Sequence, residues 1–75
     1  MTLNEAVWQD PERMSGAVCF RGTRVPVKTL FDHIAAGELD GFYAGFANVT
    51  EEMVEAVLDS SCRLIEKEVS IRKSA

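Results

Sequence analysis

The sequence predicts a mainly α-helical fold, in which a three-helix, helix-turn-helix-like core follows a short N-terminal pair of β-strands. An apolar stripe with helical spacing begins directly after Pro26, and a cluster of aromatic residues with the same spacing follows Gly37. A long amphipathic segment begins after Thr50. Ahead of these three segments, two short apolar runs are separated by turn-forming residues, which is typical of a strand pair.

The N-terminal segment predicts the two strands and the turns between them. Residues 6–8 (Ala-Val-Trp) and 17–20 (Ala-Val-Cys-Phe) are the apolar runs. Asp10-Pro11 and Ser15-Gly16 lie between them, and these residue pairs form turns readily because proline presets φ and glycine accepts a positive φ. We therefore expect an antiparallel strand pair ahead of the first core helix.

The most informative segment is the run Arg21-Gly22-Thr23-Arg24-Val25-Pro26-Val27. Gly22 can adopt a positive φ without steric cost, and Thr23 can hydrogen-bond its local backbone. The residue before Pro26 is held extended, so the run presents two permanent cations on a constrained backbone. Such arginines suit the recognition of a carboxylate or a phosphate. In the alternative interpretation, Gly22 and Pro26 only shape a turn and the arginines are solvated.

The first two core helices follow this run and are separated by a tight turn. The apolar stripe of the first helix comprises Val27, Leu30, Phe31, Ile34 and Ala35. Gly37 is typical of the residue that ends a helix. The stripe of the second helix comprises Leu39, Phe42, Tyr43 and Phe46. Because aromatic side chains dominate cores, we interpret this second stripe as core and not as a ligand site.

The third core helix begins at Thr50, a favourable N-cap, and has acidic residues in its first turn, where the helix dipole stabilises them. The pairs Asp59–Arg63 and Glu68–Arg72 have the i, i+4 spacing that supports a helix to Val69 or beyond. Twenty helical residues span about 30 Å, which is longer than two short neighbouring helices can cover. The end of this helix therefore needs another partner for its apolar side chains.

Two kinds of partner fit that helix end: a second copy of the chain or a different protein. The chain is small for a single core, and it has further apolar residues at Trp8 and Phe20, so we expect a homodimer. We also expect the helix end to bind a different protein by laying its apolar face into a groove. The candidate residues for that contact are Leu64, Ile65, Val69, Ile71, Arg72 and Lys73.

Charge is distributed unevenly along the chain, whose net charge is −4. Residues 1–28 carry four basic and three acidic side chains, and residues 63–75 carry four basic and two acidic ones. Residues 29–62 carry seven acidic side chains and no lysine or arginine. The middle should therefore repel phosphates and attract a basic protein, so any DNA contact belongs to the basic head. The candidate DNA-binding residues are Arg13, Arg21, Thr23, Arg24 and Lys28.

The 75 residues make one domain, divided into a strand and turn segment (1–26), a helical core (27–60) and a C-terminal helical extension (61–75).

The composition also excludes several classes of protein. No apolar run approaches the ~20 residues of a membrane span and no secretion signal is present, so we expect a cytoplasmic protein that binds no membrane. Cys19 and Cys62 are expected as buried, reduced thiols, and with one histidine they make no zinc site.

No set of residues predicts catalysis. Asp32 and His33 are adjacent, but no serine or cysteine is placed to act as their nucleophile, so we interpret His33 as a residue at the edge of its helix stripe. There is no metal cluster and no phosphate-binding loop. We therefore expect no enzymatic activity, no cofactor and no small-molecule substrate.

The sequence also resembles a known family. The resemblance begins with Asp10-Pro11-Glu12, Gly16, Phe20 and Gly22-Thr23-Arg24-Val25-Pro26-Val27. It continues through Leu30, Gly37, Leu39-Asp40, Phe42, Gly45-Phe46, Val49-Thr50, Glu52, Val54 and Ala56-Val57-Leu58. Over about residues 7–60 the chain resembles the domain-of-unknown-function 433 family, which is regarded as a family of VapB-like antitoxins.

The resemblance implies an antitoxin of a type II toxin–antitoxin system, with a helix-turn-helix-like fold and no catalytic residues. Its partner would be a PIN-like ribonuclease toxin, which it neutralises, and operator DNA for autorepression. The third core helix opens with Glu51, Glu52 and Glu55, which makes it a poor reader of a DNA groove. The alternative is a stand-alone helix-turn-helix DNA-binding regulator without a toxin.

Overall fold

The computed structural model describes the backbone of residues 1–12 and 14–73, and the side chains of the same residues other than Met14 and residues 70–73. The helices are α1 (Leu3–Ala6), α2 (Val27–Ala35), α3 (Leu39–Gly45) and α4 (Glu51–Lys73). The strands are β1 (Val7–Gln9) and β2 (Val18–Phe20), and a 3₁₀ turn spans Met14–Gly16. The fold is mainly helical with an N-terminal strand pair, as the sequence predicts.

Helix α1 is an addition to the predicted elements. Its N-terminus is a capping box, in which the Glu5 N–H donates to Thr2 Oγ1 at 3.3 Å and the Thr2 N–H donates to Glu5 Oε1 at 2.8 Å. The Thr-x-x-Glu spacing of residues 2–5 is the sequence signature of this cap, so the sequence contains a local signal for α1. Ala6, expected to begin the first strand, instead ends α1 and is fully buried.

The two strands pair antiparallel, as expected. Their register is Val7↔Phe20, Trp8↔Cys19 and Gln9↔Val18. Both predicted turns lie between them: the Glu12 N–H donates to Asp10 Oδ1 at 2.9 Å, and Ser15 and Gly16 have φ values of 55° and 78°. The antiparallel pairing places Phe20, the last residue of β2, opposite Val7, the first residue of β1, directly before the run that precedes α2.

The core lies where β2, α2, α3 and α4 meet. Its buried members are Phe20, Leu30, Phe42, Val49, Val54 and Val57. The Phe42 ring is central, because its centroid lies 6.0 Å from that of Phe20 and 5.1 Å from that of Phe46. The aromatic stripe of α3 is therefore core, as predicted. Phe20 is 0% exposed, which corrects the expectation that it offers surface for a dimer.

The predicted helix boundaries at the two turns are confirmed. Gly37 follows α2 with a φ of 73°, a value that residues with a Cβ atom rarely adopt. Thr50 caps α4, since its Oγ1 accepts a hydrogen bond from the Met53 N–H at 3.2 Å. These two local signals mark the end of α2 and the start of α4.

Helix α4 extends beyond the rest of the domain. It has 23 residues, and the principal extents of the molecule are 43 × 30 × 23 Å. The radius of gyration is 13.8 Å, whereas a compact domain of this length has a value of about 11 Å. No helix among the described residues is long and apolar enough to cross a membrane.

The cysteines differ in their surroundings. Cys19 is buried in β2, as expected, but Cys62 is exposed on α4, which corrects the expectation of two buried thiols. The α4 residues that pack in or against the core are Met53, Val54, Val57 and Leu58, and Cys62 lies beyond them, about 140° of helix rotation from Val57. The Cys62 Sγ donates to Glu66 Oε1 at 3.5 Å, and this hydrogen bond and the charge of Glu66 raise the pKa of the thiol.

Candidate functional site

The segment between β2 and α2 forms a closed turn, which we call the arginine turn (residues 20–26). The Phe20 N–H donates to the Val25 carbonyl at 3.0 Å, and the Thr23 N–H donates back to the Phe20 carbonyl at 3.0 Å. The Thr23 hydroxyl donates to the Phe20 carbonyl at 2.8 Å and accepts from the Val25 N–H at 3.0 Å. Gly22 supplies the positive φ, 75°, that the turn requires. The expectation of a constrained turn is confirmed.

The strand pair holds this turn from the other side. The indole Nε1 of Trp8 donates to the Thr23 carbonyl at 3.2 Å, and Cys19 and Pro26 form an antiparallel bridge. The turn is therefore attached to both strands and to the start of α2, so its side chains project from a rigid base.

The two arginines of this turn have different surroundings. The Arg21 guanidinium donates to the Asn4 carbonyl from Nη2 at 2.7 Å and from Nε at 3.2 Å, and to the Val7 carbonyl from Nη2 at 2.9 Å. Arg21 thus joins the arginine turn to α1 and to β1. Arg24 is exposed, and its guanidinium has no hydrogen bond or ion pair with any residue in the described ranges.

The remaining candidate DNA-binding residues are distributed as follows. Thr23 is partly buried and its hydroxyl belongs to the turn. Lys28, in the first turn of α2, pairs with Asp32 at 2.9 Å, and both side chains are largely exposed. Arg13 lies outside the described residues. The structure therefore brings Thr23, Arg24 and Lys28 to the same end of α2, with Arg24 as the unpaired cation among them.

Asp32 and His33 do not form a pair. The Asp32 carboxylate contacts Lys28, whereas His33 Nδ1 lies 2.8 Å from the Thr29 carbonyl. Because a carbonyl only accepts, this nitrogen carries the proton. The His33 ring meets Phe42 edge-on, with the ring centroids 5.5 Å apart. His33 is thus a partly buried residue at the edge of the core, as the sequence predicts.

The C-terminal part of α4 exposes large apolar side chains. Leu64, Ile65 and Val69 are 59%, 62% and 57% exposed. The expectation that these residues lack a partner within the domain is confirmed. The side chains of Ile71, Arg72 and Lys73, which belong to the same candidate set, lie outside the described residues.

Two apolar grooves run along the two sides of α4. The first, which we call the α1–α4 groove, has a volume of about 320 Å³ and is lined by Leu3, Val7, Val18, Val27, Val57, Ser60, Ser61 and Leu64. The second, the α2–α4 groove, has a volume of about 460 Å³ and is lined by Ile34, Gly37, Leu39, Asp40 and Leu58. Val57 and Leu58 are adjacent in the sequence of α4, but Val57 lines the α1–α4 groove and Leu58 lines the α2–α4 groove.

The exposed apolar residues of α4 continue these grooves as two separate stripes. With about 100° of rotation per residue, Val57, Ser61 and Leu64 fall within about 60° of one another. Leu58, Ile65 and Val69 fall within about 40° of one another, and the two groups are about 100° apart. We call them the Leu64 stripe and the Ile65 stripe. The expectation of one broad apolar face on α4 is therefore corrected, and the residue spacing itself separates the two stripes.

An acidic surface lies at the start of α4. Glu51, Glu52 and Glu55 are exposed there, and Asp40 is exposed on α3. Burial, and after it the charges of Glu51 and Glu55, raise the pKa of the Tyr43 hydroxyl. This surface is the alternative candidate for contact with a basic protein.

Among the described residues, no group of three or more His, Cys, Asp and Glu side chains is arranged to hold a metal ion.

Comparison with known proteins gives one match. The family model described as "Protein of unknown function (DUF433)" matches residues 7–59. This range includes the strand pair, the arginine turn, α2, α3 and the capped first part of α4. No curated protein and no solved structure matches the chain.

Proposed function

We propose, from the premise that this chain belongs to the DUF433 family, that it is an antitoxin that binds and neutralises a PIN-like ribonuclease toxin. The observation that carries the proposal is the exposed Ile65 stripe at the end of α4. Two large aliphatic side chains, Ile65 and Val69, are more than half exposed on a helix that extends past its own domain.

Such a helix end suits binding in a groove of another protein. Burying one large aliphatic side chain contributes about 1.5–3 kcal/mol, so Ile65 and Val69 are effective anchors for a partner. The helix is already formed and is continuous with the capped core, so little conformational entropy is lost on binding. The stripe also begins at Leu58, within the α2–α4 groove, which enlarges the apolar area that a partner can cover.

The charge of the helix end fits a nuclease as partner. By sequence, residues 63–73 carry four basic side chains, Arg63, Lys67, Arg72 and Lys73, against the two acidic side chains of Glu66 and Glu68. Nucleases with acidic metal sites present carboxylates, and charge-assisted hydrogen bonds from arginine and lysine to carboxylates are the stronger ones. The proposal assigns binding to this chain and leaves catalysis to the partner.

Binding of operator DNA is the second activity that we propose. The observation that favours it is Arg24, an exposed cation on the closed arginine turn beside the first turn of α2, which has no hydrogen bond or ion pair with the part of the chain that the structure describes. Glu51 and Glu52 at the start of α4, and Asp40 in the first turn of α3, make both helices poor readers of bases. Phosphate contacts from the turn would then dominate, and a dimer would supply two such turns.

Co-expression with the product of the neighbouring gene tests the proposal. We expect the two proteins to purify together and this chain to suppress cleavage of a fluorogenic RNA by the purified partner. The double variant Ile65→Glu/Val69→Glu should lose the complex, since it places two charges in the apolar contact. The control Ala44→Glu/Ala47→Glu adds the same charge at exposed positions away from α4 and should bind normally.

Other results would contradict the proposal in distinct ways. If the wild-type chain neither binds the neighbouring product nor suppresses RNA cleavage, the antitoxin function is wrong. Binding of the chain's own upstream DNA without any nuclease partner would instead support a stand-alone regulator. Full inhibition by the double variant would shift the contact to the acidic surface of Asp40, Glu51, Glu52 and Glu55.

A further inference from the structure

We infer that the α2–α4 groove, together with the Ile65 stripe that continues it, binds a basic amphipathic helix of the partner protein. In this complex, aliphatic side chains of the partner helix lie over Ile34 and Leu58, and its lysine or arginine side chains lie against Asp40 and Glu55. The identity of the partner as a ribonuclease rests on the proposed function, and the inference adds the chemistry of the segment that the partner contributes.

The groove is apolar and accessible from outside the domain. Ile34 is 39% exposed on α2, and Leu39 and Leu58 are half-buried on α3 and α4. A Cβ atom at Gly37 would meet no heavy atom of the described residues within 4 Å, so the groove is open at the turn between α2 and α3. Asp40 completes the lining and supplies a carboxylate. A partner can therefore reach aliphatic side chains and a charge in the same place.

The apolar surface has the length and the spacing that suit a helix. Leu58, Ile65 and Val69 lie within about 40° of one another around α4, and the two later residues lie about 10 and 16 Å beyond the first along the helix axis. A helix bound in a groove presents apolar anchors at positions i, i+3 or i+4 and i+7, which cover about the same length. Ile65 and Val69 are more than half exposed, so most of their area remains for such anchors to cover.

Carboxylates border the groove on α3 and α4. Asp40 lies in the lining, and Glu51 and Glu55 lie within about 20° and 60° of Leu58 around α4. Burial, and after it the charges of Glu51 and Glu55, raise the pKa of the Tyr43 hydroxyl, so these two carboxylates lie near α3. Asp40 and Tyr43 are three positions apart on α3 and are therefore neighbours on its surface. The acidic surface is thus continuous with the groove.

The basic side chains of α2 and of the middle of α4 lie on other sides of their helices. Lys28 is about 120° from Ile34 around α2, and Arg63 and Lys67 are about 140° and 180° from Leu58 around α4. Lys28 and Arg63 are also each in an ion pair with an aspartate of their own helix. The carboxylates at the groove are therefore available to attract the cations of a partner.

This charge pattern selects the occupant of the groove. A neutral apolar helix would cover the carboxylates of Asp40 and Glu55 without supplying a counter-charge, which is unfavourable because a charge removed from water needs a partner. An acidic segment or a nucleic acid would be repelled by the same carboxylates. Only a helix with an apolar face and lysine or arginine beside it satisfies both parts of the surface.

The binding of two matched peptides tests the inference. The probes are a fluorescein-labelled amphipathic helical peptide of leucine and lysine and the same peptide with glutamate in place of lysine. We expect the full-length chain to bind the lysine peptide, more weakly as salt screens the charges, and not to bind the glutamate peptide. Binding of both peptides, or of neither, would overturn the inference.

Two pairs of variants locate the binding. Ile34→Gln removes an aliphatic side chain from the groove, and Leu3→Gln removes one that is 42% exposed in the α1–α4 groove. Asp40→Asn removes a charge from the groove, and Glu12→Gln removes one from the turn between the strands. We expect Ile34→Gln to weaken binding of the lysine peptide about fivefold or more, and Asp40→Asn about two- to fivefold at low salt. Leu3→Gln and Glu12→Gln should bind as wild type does, and circular dichroism verifies the helix content of all four. Equal effects within either pair would overturn the assignment to this groove.

The co-expression assay separates the inference from the proposed function. If the neighbouring gene product binds wild type and Leu3→Gln/Glu12→Gln but binds Ile34→Gln/Asp40→Asn more weakly, the groove is part of the contact with the toxin. Equal binding to both double variants would show that the inference is wrong while the proposed function stands. If that product binds none of the chains, the proposed function is wrong and the peptide titration alone decides the groove. Sedimentation equilibrium detects a second copy as occupant: a wild-type dimer that Ile34→Gln/Asp40→Asn dissociates would overturn the assignment to a different protein.

Discussion

The guanidinium of Arg21 donates to the main-chain carbonyl of Asn4 at 2.7 Å, across seventeen positions of sequence. Together with the bond to the Val7 carbonyl at 2.9 Å, this contact joins the arginine turn to α1 and to β1. Of the two interpretations of the arginines, a structural role is therefore the better supported one for Arg21. Arg24, with its unpaired guanidinium, is the better candidate for ligand contact.

We predict that Arg21→Ala destabilises the protein and that Arg24→Ala does not. Loss of the hydrogen bonds to Asn4 and Val7 should lower the free energy of unfolding by about 1 kcal/mol, because the bonds are charge-assisted but exposed. Arg24→Ala removes no such bond and should change stability by less than about 0.5 kcal/mol. Urea denaturation of both variants measures the difference, and equal stability would show that the Arg21 contacts contribute nothing.

We predict that Arg24 determines the salt dependence of DNA binding. If Arg24 contacts one phosphate, Arg24→Ala should weaken binding and reduce the slope of log K against log salt by about 0.9 per contact. Fluorescence anisotropy with a duplex from upstream of the gene, over a series of KCl concentrations, measures this slope. Arg63→Ala is a matched control, since Arg63 is paired with Asp59 on α4. An unchanged slope in Arg24→Ala would place the DNA contact on another surface.

We predict that two neighbouring residues of α2 differ strongly in their contribution to stability. Leu30 is fully buried whereas Phe31 is 38% exposed. Leu30→Ala should cost about 2–5 kcal/mol through lost burial and the cavity left behind. That is a large part of the about 4–11 kcal/mol expected for a domain of this length. Phe31→Ala should lower the free energy of unfolding much less. Thermal unfolding of the two variants measures the difference, and a lower melting temperature for Phe31→Ala than for Leu30→Ala would contradict the prediction.

We predict that the capping box of α1 makes stability depend on acidic pH. Hydrogen bonds from the backbone N–H and the side chain of Thr2 lower the pKa of the Glu5 carboxyl below its ordinary value of 4.5. Because this pKa is lowered in the folded protein, the stability that the Glu5 carboxylate contributes is fully present above its ordinary pKa of 4.5. That stability is lost as the pH falls through the lowered pKa. Wild type should therefore unfold at higher urea than Glu5→Gln at neutral pH, and the difference should disappear in acid. A constant difference would contradict this linkage.

The sequence by itself determined the order of the core helices and three of their boundaries. Each of these three depends on a local signal: Pro26 precedes α2, Gly37 ends it with a positive φ, and Thr50 caps α4. The closed arginine turn was predictable for the same reason, because the hydrogen bonds within it join residues at most five positions apart. Helix α1 also depends on a local signal, because the Thr2-x-x-Glu5 spacing of its capping box can be read from the sequence.

Only the tertiary structure decided which surfaces remain free. Phe20 and Cys62 are both residue types that often lie in cores, yet Phe20 is buried among Leu30, Phe42 and Val54, whereas Cys62 is exposed on α4 beyond the residues that pack in the core. The partner of Arg21 lies seventeen positions away, and Leu64 and Ile65 are adjacent in sequence but belong to different stripes. Exposure and long-range contacts depend on which elements pack together, and local propensity carries no information about that packing.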